Sequence, residues 1–192
     1  MELKNILLGA ALIGVNFAAH PVLAQAEVCP QKEIVSPTTQ SRVIRQQRLG
    51  YQFNIPTNYR TMAVRENGIL VFDPNSFTLA QCLLKNKVPR EYPKHISIYT
   101  TSINANNRSV TDIIQQNDPT AEKFTNTKVA NQAAISYISN TLGVEKRVAF
   151  LSRDRKYLIT ISAPFNFNQG RPTTMFNQGV FDRVISSFAF IP

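Results

Sequence analysis

The stretch AAISYISNTLGVEKRVAFLSRDRKYLITISAP, residues 133–164, decides the fold. Runs rich in Ile, Val, Tyr and Phe are separated there by polar turn residues. In the last run Tyr157, Ile159 and Ile161 alternate with Leu158, Thr160 and Ser162, the period of two that sets side chains on opposite faces of a strand. Arg153, Asp154 and Arg155 fall between two runs, so the pattern predicts an antiparallel hairpin or meander. Downstream, Phe176, Val180, Phe181, Val184, Ile185 and Phe188 recur at helical spacing as a single apolar stripe. A sheet with an oily face followed by a helix with an oily stripe predicts an α+β layer fold.

Working outward, residues 27–48 contain Pro30, Pro37 and little periodicity, and read as an extended leader or linker ahead of one domain spanning 49–192. Tyr51, Phe53 and Ile55 alternate with Gln52 and Asn54 in a strand closed by Pro56. Residues 57–60 make a bend, and 61–64 return. Glu66-Asn67-Gly68 is a tight-turn signal leading into Ile69-Leu70-Val71-Phe72, a strand buried on both faces. Residues 77–85 read as a short helix with Leu79, Leu83 and Leu84 inward. Residues 95–99 alternate as a strand. Ser109 followed by Asp112 predicts a capped helix with Val110, Ile113 and Ile114 inward, ending at Asp118-Pro119. Residues 120–127 form a polar stretch before the central runs, and 166–171 a Gly-containing turn.

The first residues hold Lys4, an apolar run from Ile6 to Ala19, and Ala24-Gln25-Ala26. That is the anatomy of a secretory signal peptide at 1–26, with an apolar run short of the ~20 residues of a membrane span. A retained anchor is the alternative. Two cysteines, Cys29 and Cys82, follow the cleavage site. In an oxidising compartment an even pair suggests one bridge, while a buried free thiol at Cys82 remains open.

Net charge is +9 with pI near 9.8. The cations fall in groups: Arg42, Arg45 and Arg48; Lys85, Lys87, Arg90 and Lys94; Arg147, Arg153, Arg155 and Lys156. Each is either a solvated face or a docking surface for an acidic protein or a membrane-bound complex, with peripheral contact to an anionic membrane as a further partner class. No nucleic-acid-binding motif accompanies the charge.

With this order of elements the chain resembles the PsbP-like family, exported relatives of the extrinsic PsbP subunit of photosystem II. The resemblance rests on Gly50-Tyr51, Phe53 and Ile55-Pro56 at the head of the domain, on the helix from Ser109 to Ile114, on Tyr157-Leu158-Ile159-Thr160, and on Val184-Ile185-Ser186-Ser187-Phe188. It departs in having no Trp after Pro56, where Tyr59 stands. The resemblance implies an α/β/α sandwich around a mainly antiparallel sheet. It also implies a location in periplasm or thylakoid lumen, with extracellular release as the other exported fate, and an assembly or stabilising role.

Catalytic constellations do not emerge. His95 alone beyond residue 26 cannot fill the acid and base roles of a ribonuclease, nor complete a triad. One His and two distant Cys do not make a zinc site. Asp73, Glu91, Asp112, Asp118, Glu122, Glu145, Asp154 and Asp182 suit turn and cap roles. The residues therefore predict a non-enzymatic interaction module with no cofactor and no metal. The rivals are a small-ligand binder or a hydrolase whose carboxylates gather in a cleft, and a structural envelope protein held by a Cys29–Cys82 bridge. Tyr51, Tyr59, Tyr92, Tyr99, Tyr137, Phe165 and Phe167 outnumber what one inward face requires, and are either core rings or interface anchors.

Overall fold

The computed structural model describes residues 28–65, 67–104, 108–141 and 143–191. The expected signal peptide lies outside the described residues. Strand β1 (Ser41–Gln46) pairs antiparallel with β2 (Tyr51–Pro56) through a 3-10 turn at Gln47–Leu49, closed by Gly50 in the left-handed region at φ 68. The segment 27–48 is therefore not leader throughout. Its last part is a strand that the periodicity hid, because β1 turns Arg42, Ile44 and Gln46 toward the protein and only Ile44 is oily.

β3 (Arg60–Val64) and β4 (Gly68–Phe72) form the hairpin turned at Asn67. The return after Pro56 does not fold back on β2. The chain swings at the buried Tyr59 and enters a different sheet. Helix α1 (Pro74–Lys85) starts earlier than its apolar residues suggest. Asp73 caps it by accepting from the Asn75 and Ser76 backbone N–H groups, and Pro74 sits at the first helical position, where a missing N–H costs nothing. Leu79 and Leu83 point inward as expected, but Leu84 is 51% exposed.

β5 (Ile96–Ser102) follows, then α2 (Val110–Asn117), held by the reciprocal Ser109 and Asp112 capping box. The meander is β6 (Glu122–Val129), β7 (Gln132–Ser139), β8 (Glu145–Leu151) and β9 (Tyr157–Asn168). The polar stretch before it is itself a strand, β6, lying at the sheet edge with Val129 its one buried residue. β10 (Arg171–Met175), α3 (Gln178–Ser187) and β11 (Ala189–Phe190) complete the chain.

The eight-stranded sheet runs β3-β4-β5-β9-β8-β7-β6 with β10 on β9, and a three-stranded sheet runs β1-β2-β11. Every pairing among the described residues is antiparallel. One face of the large sheet, including Ile69, Ile98, Phe150, Ile159 and Ile161, packs on Tyr51, Phe53 and Ile55 of the small sheet and on Val180, Phe181 and Val184 of α3. The opposite face takes α1 over Leu70 and Phe72 at one end. At the other end Ile113 and Ile114 of α2 cover Tyr137, Ala149, Leu151 and Leu158. The result is the expected α+β layering around an antiparallel sheet, except that one outer layer combines a helix with a second sheet.

An N-terminal arm lies across this body. Cys29 is disulfide-bonded to Cys82 on α1, with Cα atoms 5.7 Å apart. Farther along, Glu33 O accepts from Asn75 Nδ2 at 2.7 Å and the Val35 N–H donates to Asp73 Oδ1 at 3.2 Å. Among the described residues no helix is long and apolar enough to cross a membrane.

Candidate functional site: a polar cleft on the open centre of the sheet

Helices α1 and α2 cover the two ends of one sheet face and leave its middle bare. Strand register fixes what stands there. Leu70 pairs with Ser97, Ser97 with Ser162, Ser162 with Arg147 and Arg147 with Tyr137, so one row crosses five strands. Small hydroxyl residues in mid-row, where Leu or Ile would fill the space, make a trough. The cavity above it has a volume of about 730 Å³ and is bordered by His95, Tyr99, Asp118, Glu145 and Thr160 as well as by Ser97, Ser162, Arg147 and Tyr137 of that row.

Two features hold the floor and one wall. The Ser97 and Ser162 hydroxyl oxygens are 2.7 Å apart and buried. The Tyr99 ring lies so close to the backbone of β4 that a Cβ at Gly68 would come within 2.5 Å of its Cε1. Only glycine admits the ring there.

Arg147 organises the other wall. Its Nη1 donates to Asp118 Oδ2 at 3.1 Å, its Nε and Nη2 each reach Glu145 Oε2 at 2.9 Å, and Nη2 also lies 3.3 Å from Thr141 Oγ1. Burial works against the charged guanidinium, but Glu145 and then Tyr137 and Asp118 outweigh it, so its pKa is raised. Asp118 Oδ1 accepts from the Thr120 hydroxyl at 2.7 Å and the Thr120 N–H at 3.1 Å. Burial pushes the Asp118 carboxyl up, yet hydrogen bonds from Ser139 and Thr120 and the Arg147 charge together hold it below the ordinary range. A carboxyl held low is ionised at neutral pH and donates no proton, so Asp118 is no general acid.

His95 packs against Phe72 and Tyr92, with ring centroids 5.2 Å and 6.5 Å away. Its Nδ1 lies 2.8 Å from Pro93 O and must carry the proton to bond a carbonyl. Burial lowers its pKa, only partly opposed by that hydrogen bond and by Glu145, so the ring is neutral at pH 7. Among the described residues no group of three or more His, Cys, Asp or Glu could hold a metal ion.

The predicted docking cations are divided by the fold. Arg42 Nη2 donates to Tyr59 O, Arg45 Nε to Gln52 Oε1 and Arg48 Nη2 to Asn67 Oδ1, all neutral acceptors. Arg153 lies over the Phe190 ring, 5.5 Å from its centroid, and shares with Arg48 the border of a depression beside Gly50. Lys85, Lys87, Arg90 and Lys94 are exposed on the end of α1 and the following loop, with Lys94 Nζ on Asn166 Oδ1 at 2.8 Å. Arg155 donates to Arg108 O, and Lys156 lies 3.9 Å from an Asp154 oxygen. Arg147 departs from its expected group. It faces the cleft, and two carboxylates neutralise it.

Of the rings weighed as interface anchors, Tyr51, Tyr59 and Tyr137 are buried and belong to the core, while Tyr92, Tyr99 and Phe167 are partly exposed.

No family model and no curated protein matches this chain. Among solved structures it is similar to the solution structure of cyanobacterial PsbP (CyanoP) from Synechocystis sp. PCC 6803, at 14% identity over 78% of this chain and 92% of that chain, with a TM-score of 0.46. A likeness of that size carries no residue and no role across to this chain.

A cleft that gathers carboxylates is one of the rival expectations, and Asp118 and Glu145 do meet here, but its place on the sheet and its other lining residues do not follow from the sequence. One signal was available: Ser97 and Ser162 stand in strands whose neighbours Ile96, Ile98 and Ile161 are apolar, and a hydroxyl in such a place asks for a partner.

Proposed function

We propose that this chain is an exported interaction module that docks through an arginine edge, formed by β1 and the turn that follows it, to the acidic surface of a membrane-associated protein complex. The observation that carries the reading is the partner set of Arg42, Arg45 and Arg48. Carbonyl and amide oxygens position these guanidinium groups without cancelling their charge. Arg60 donates likewise to Thr57 O and Tyr59 O, and Arg183 to Thr38 O. Burial, and after it the like charge of Arg60 on β3, lower the pKa of Arg42, so this guanidinium stands near a second cation. An acidic partner relieves that repulsion, and long-range attraction speeds encounter. The signal-peptide pattern supports export, and the motif resemblance supports an assembly or stabilising role at a photosystem if the source is photosynthetic.

The test is co-sedimentation with the membranes of its own cell at low and high ionic strength. Retention at low salt, lost as the screening length shrinks from about 30 Å at 0.01 M to about 3 Å at 1 M, is the expected result. Charge reversal at Arg45, Arg48 and Arg153 together abolishes it. Equal retention on bare anionic vesicles would name lipid as the partner instead. A chain that stays in the supernatant at both salts defeats the proposal.

A further inference from the structure

The cleft on the bare centre of the sheet has a chemistry opposite to the rest of the surface. Two carboxylates and one guanidinium leave it with a charge of −1, inside a chain whose net charge is +9. Its strong donor is already engaged: the ionic contacts of Arg147 go to Asp118 and Glu145. Beyond neutral hydroxyl and amide groups, which both donate and accept, what remains is acceptor capacity. Both contacts on Glu145 fall on Oε2, so Oε1 stays uncommitted among the described residues. His95 carries its proton on Nδ1, which leaves Nε2 as an acceptor. Tyr99 and Tyr137 border the same space with aromatic rings, which attract cations over their faces.

We propose that this cleft binds a cationic nitrogen group, an ammonium or guanidinium, with the Glu145 carboxylate as its counter-charge and the tyrosine rings beside it. An anion is disfavoured, because Arg147 offers it no uncompensated charge. The donor-rich group arrives either on a small free amine or as a Lys or Arg side chain of another protein. This site faces away from the β1 edge, on the other side of the large sheet, so its outcome is independent of the docking reading.

The experiment is titration of the intact chain with agmatine, with a short peptide bearing one internal Arg, and with an uncharged amide analogue of agmatine, followed by calorimetry and amide NMR shifts. Saturable binding of a cationic probe, with shifts centred on Ser97, Thr160 and Ser162, is expected. Preference for agmatine names a free amine as the source, and preference for the peptide names a protein side chain. Glu145→Gln weakens binding about tenfold or more, the scale of losing a charge-assisted contact. Since that change also loosens Arg147, Thr160→Lys is the second variant. It puts a tethered ammonium into the cleft and blocks the probe while leaving the Arg147 network intact. Equal uptake of the uncharged analogue, absence of saturable binding by both cationic probes, or full binding by Thr160→Lys would overturn the assignment.

Discussion

Ser97 on β5 and Ser162 on β9 stand opposite one another in register, their hydroxyl oxygens 2.7 Å apart, while the adjacent pair Ile98 and Ile161 faces the apolar core on the other side of the same two strands. The sheet thus changes character between consecutive residues. Removing one hydroxyl leaves the other buried with no partner, which costs about 1–3 kcal/mol, whereas removing both is close to neutral. Ser97→Ala and Ser162→Ala are each expected to lower the urea midpoint, and the double variant to recover most of the loss. A double-mutant cycle gives the coupling, and additive losses would show that the two hydroxyls do not depend on each other.

The Cys29–Cys82 bridge closes a loop of 53 residues. In the chain-entropy account a loop of that size stabilises by about 4 kcal/mol. Replacing both cysteines with serine is expected to lower the unfolding free energy by a comparable amount, read from urea denaturation. Amide exchange should speed up selectively in residues 29–38, where the arm loses its covalent end. Unchanged exchange in the arm would mean that the hydrogen bonds to Asn75 and Asp73 suffice to hold it.

Arg147→Met removes the guanidinium between Asp118 and Glu145 and strands the buried Asp118 carboxylate. The cost is about 3 kcal/mol, the lower end for a broken buried pair, because the Arg147 side chain is 23% exposed. The pH dependence has a definite sign. The Asp118 carboxyl is held below its unfolded value, so its contribution is complete above about pH 4 and is lost as pH falls through the folded-state value. Asp118→Asn should lower stability at neutral pH and flatten the acid limb of the stability curve. Parallel curves for the two proteins below pH 4 would contradict this.

Gly68→Ala brings a methyl group to within 2.5 Å of the Tyr99 ring and 2.6 Å of Val64 Cγ2. Overpacking of this kind costs about 1–3 kcal/mol. Tyr99 must tilt into the cleft to relieve it. Loss of stability together with altered near-ultraviolet dichroism from the tyrosines is expected, and Tyr99→Ala should restore part of the stability. A neutral Gly68→Ala would show that the ring has room to move.

Where one side chain period ran through a whole element, the sequence was readable. The apolar stripe of α3 from Val180 to Ile185, the capping box of Ser109 and Asp112, and the run of β4 are local patterns that match the elements that form, although Phe176 falls just before α3 and Phe188 caps its end. Strands β1 and β6 were not readable, because edge strands hold their place through backbone pairing and bury few side chains. Asp73-Pro74 fits a turn and a helix start equally well, and the backbone decides for the helix. The cleft lay beyond local reading altogether. Leu70, Ser97, Arg147, Ser162 and Tyr137 become neighbours only through the order in which five strands are laid side by side. Likewise nothing in the composition separates Arg147 from Arg153, yet one faces two carboxylates and the other an aromatic ring.

Strand β9 sits between β5 and β8, so it is the seam joining the β3-β4-β5 block to the β8-β7-β6 block. Neither block can meet the other until the polypeptide beyond Tyr157 has been synthesised and delivered. Contacts that span 65 residues, such as Ser97 with Ser162, set a high loop-closure barrier and a slow final step. On the ribosome the two strand blocks therefore keep open margins until β9 has emerged. Maturation is an all-at-once event that waits for that strand.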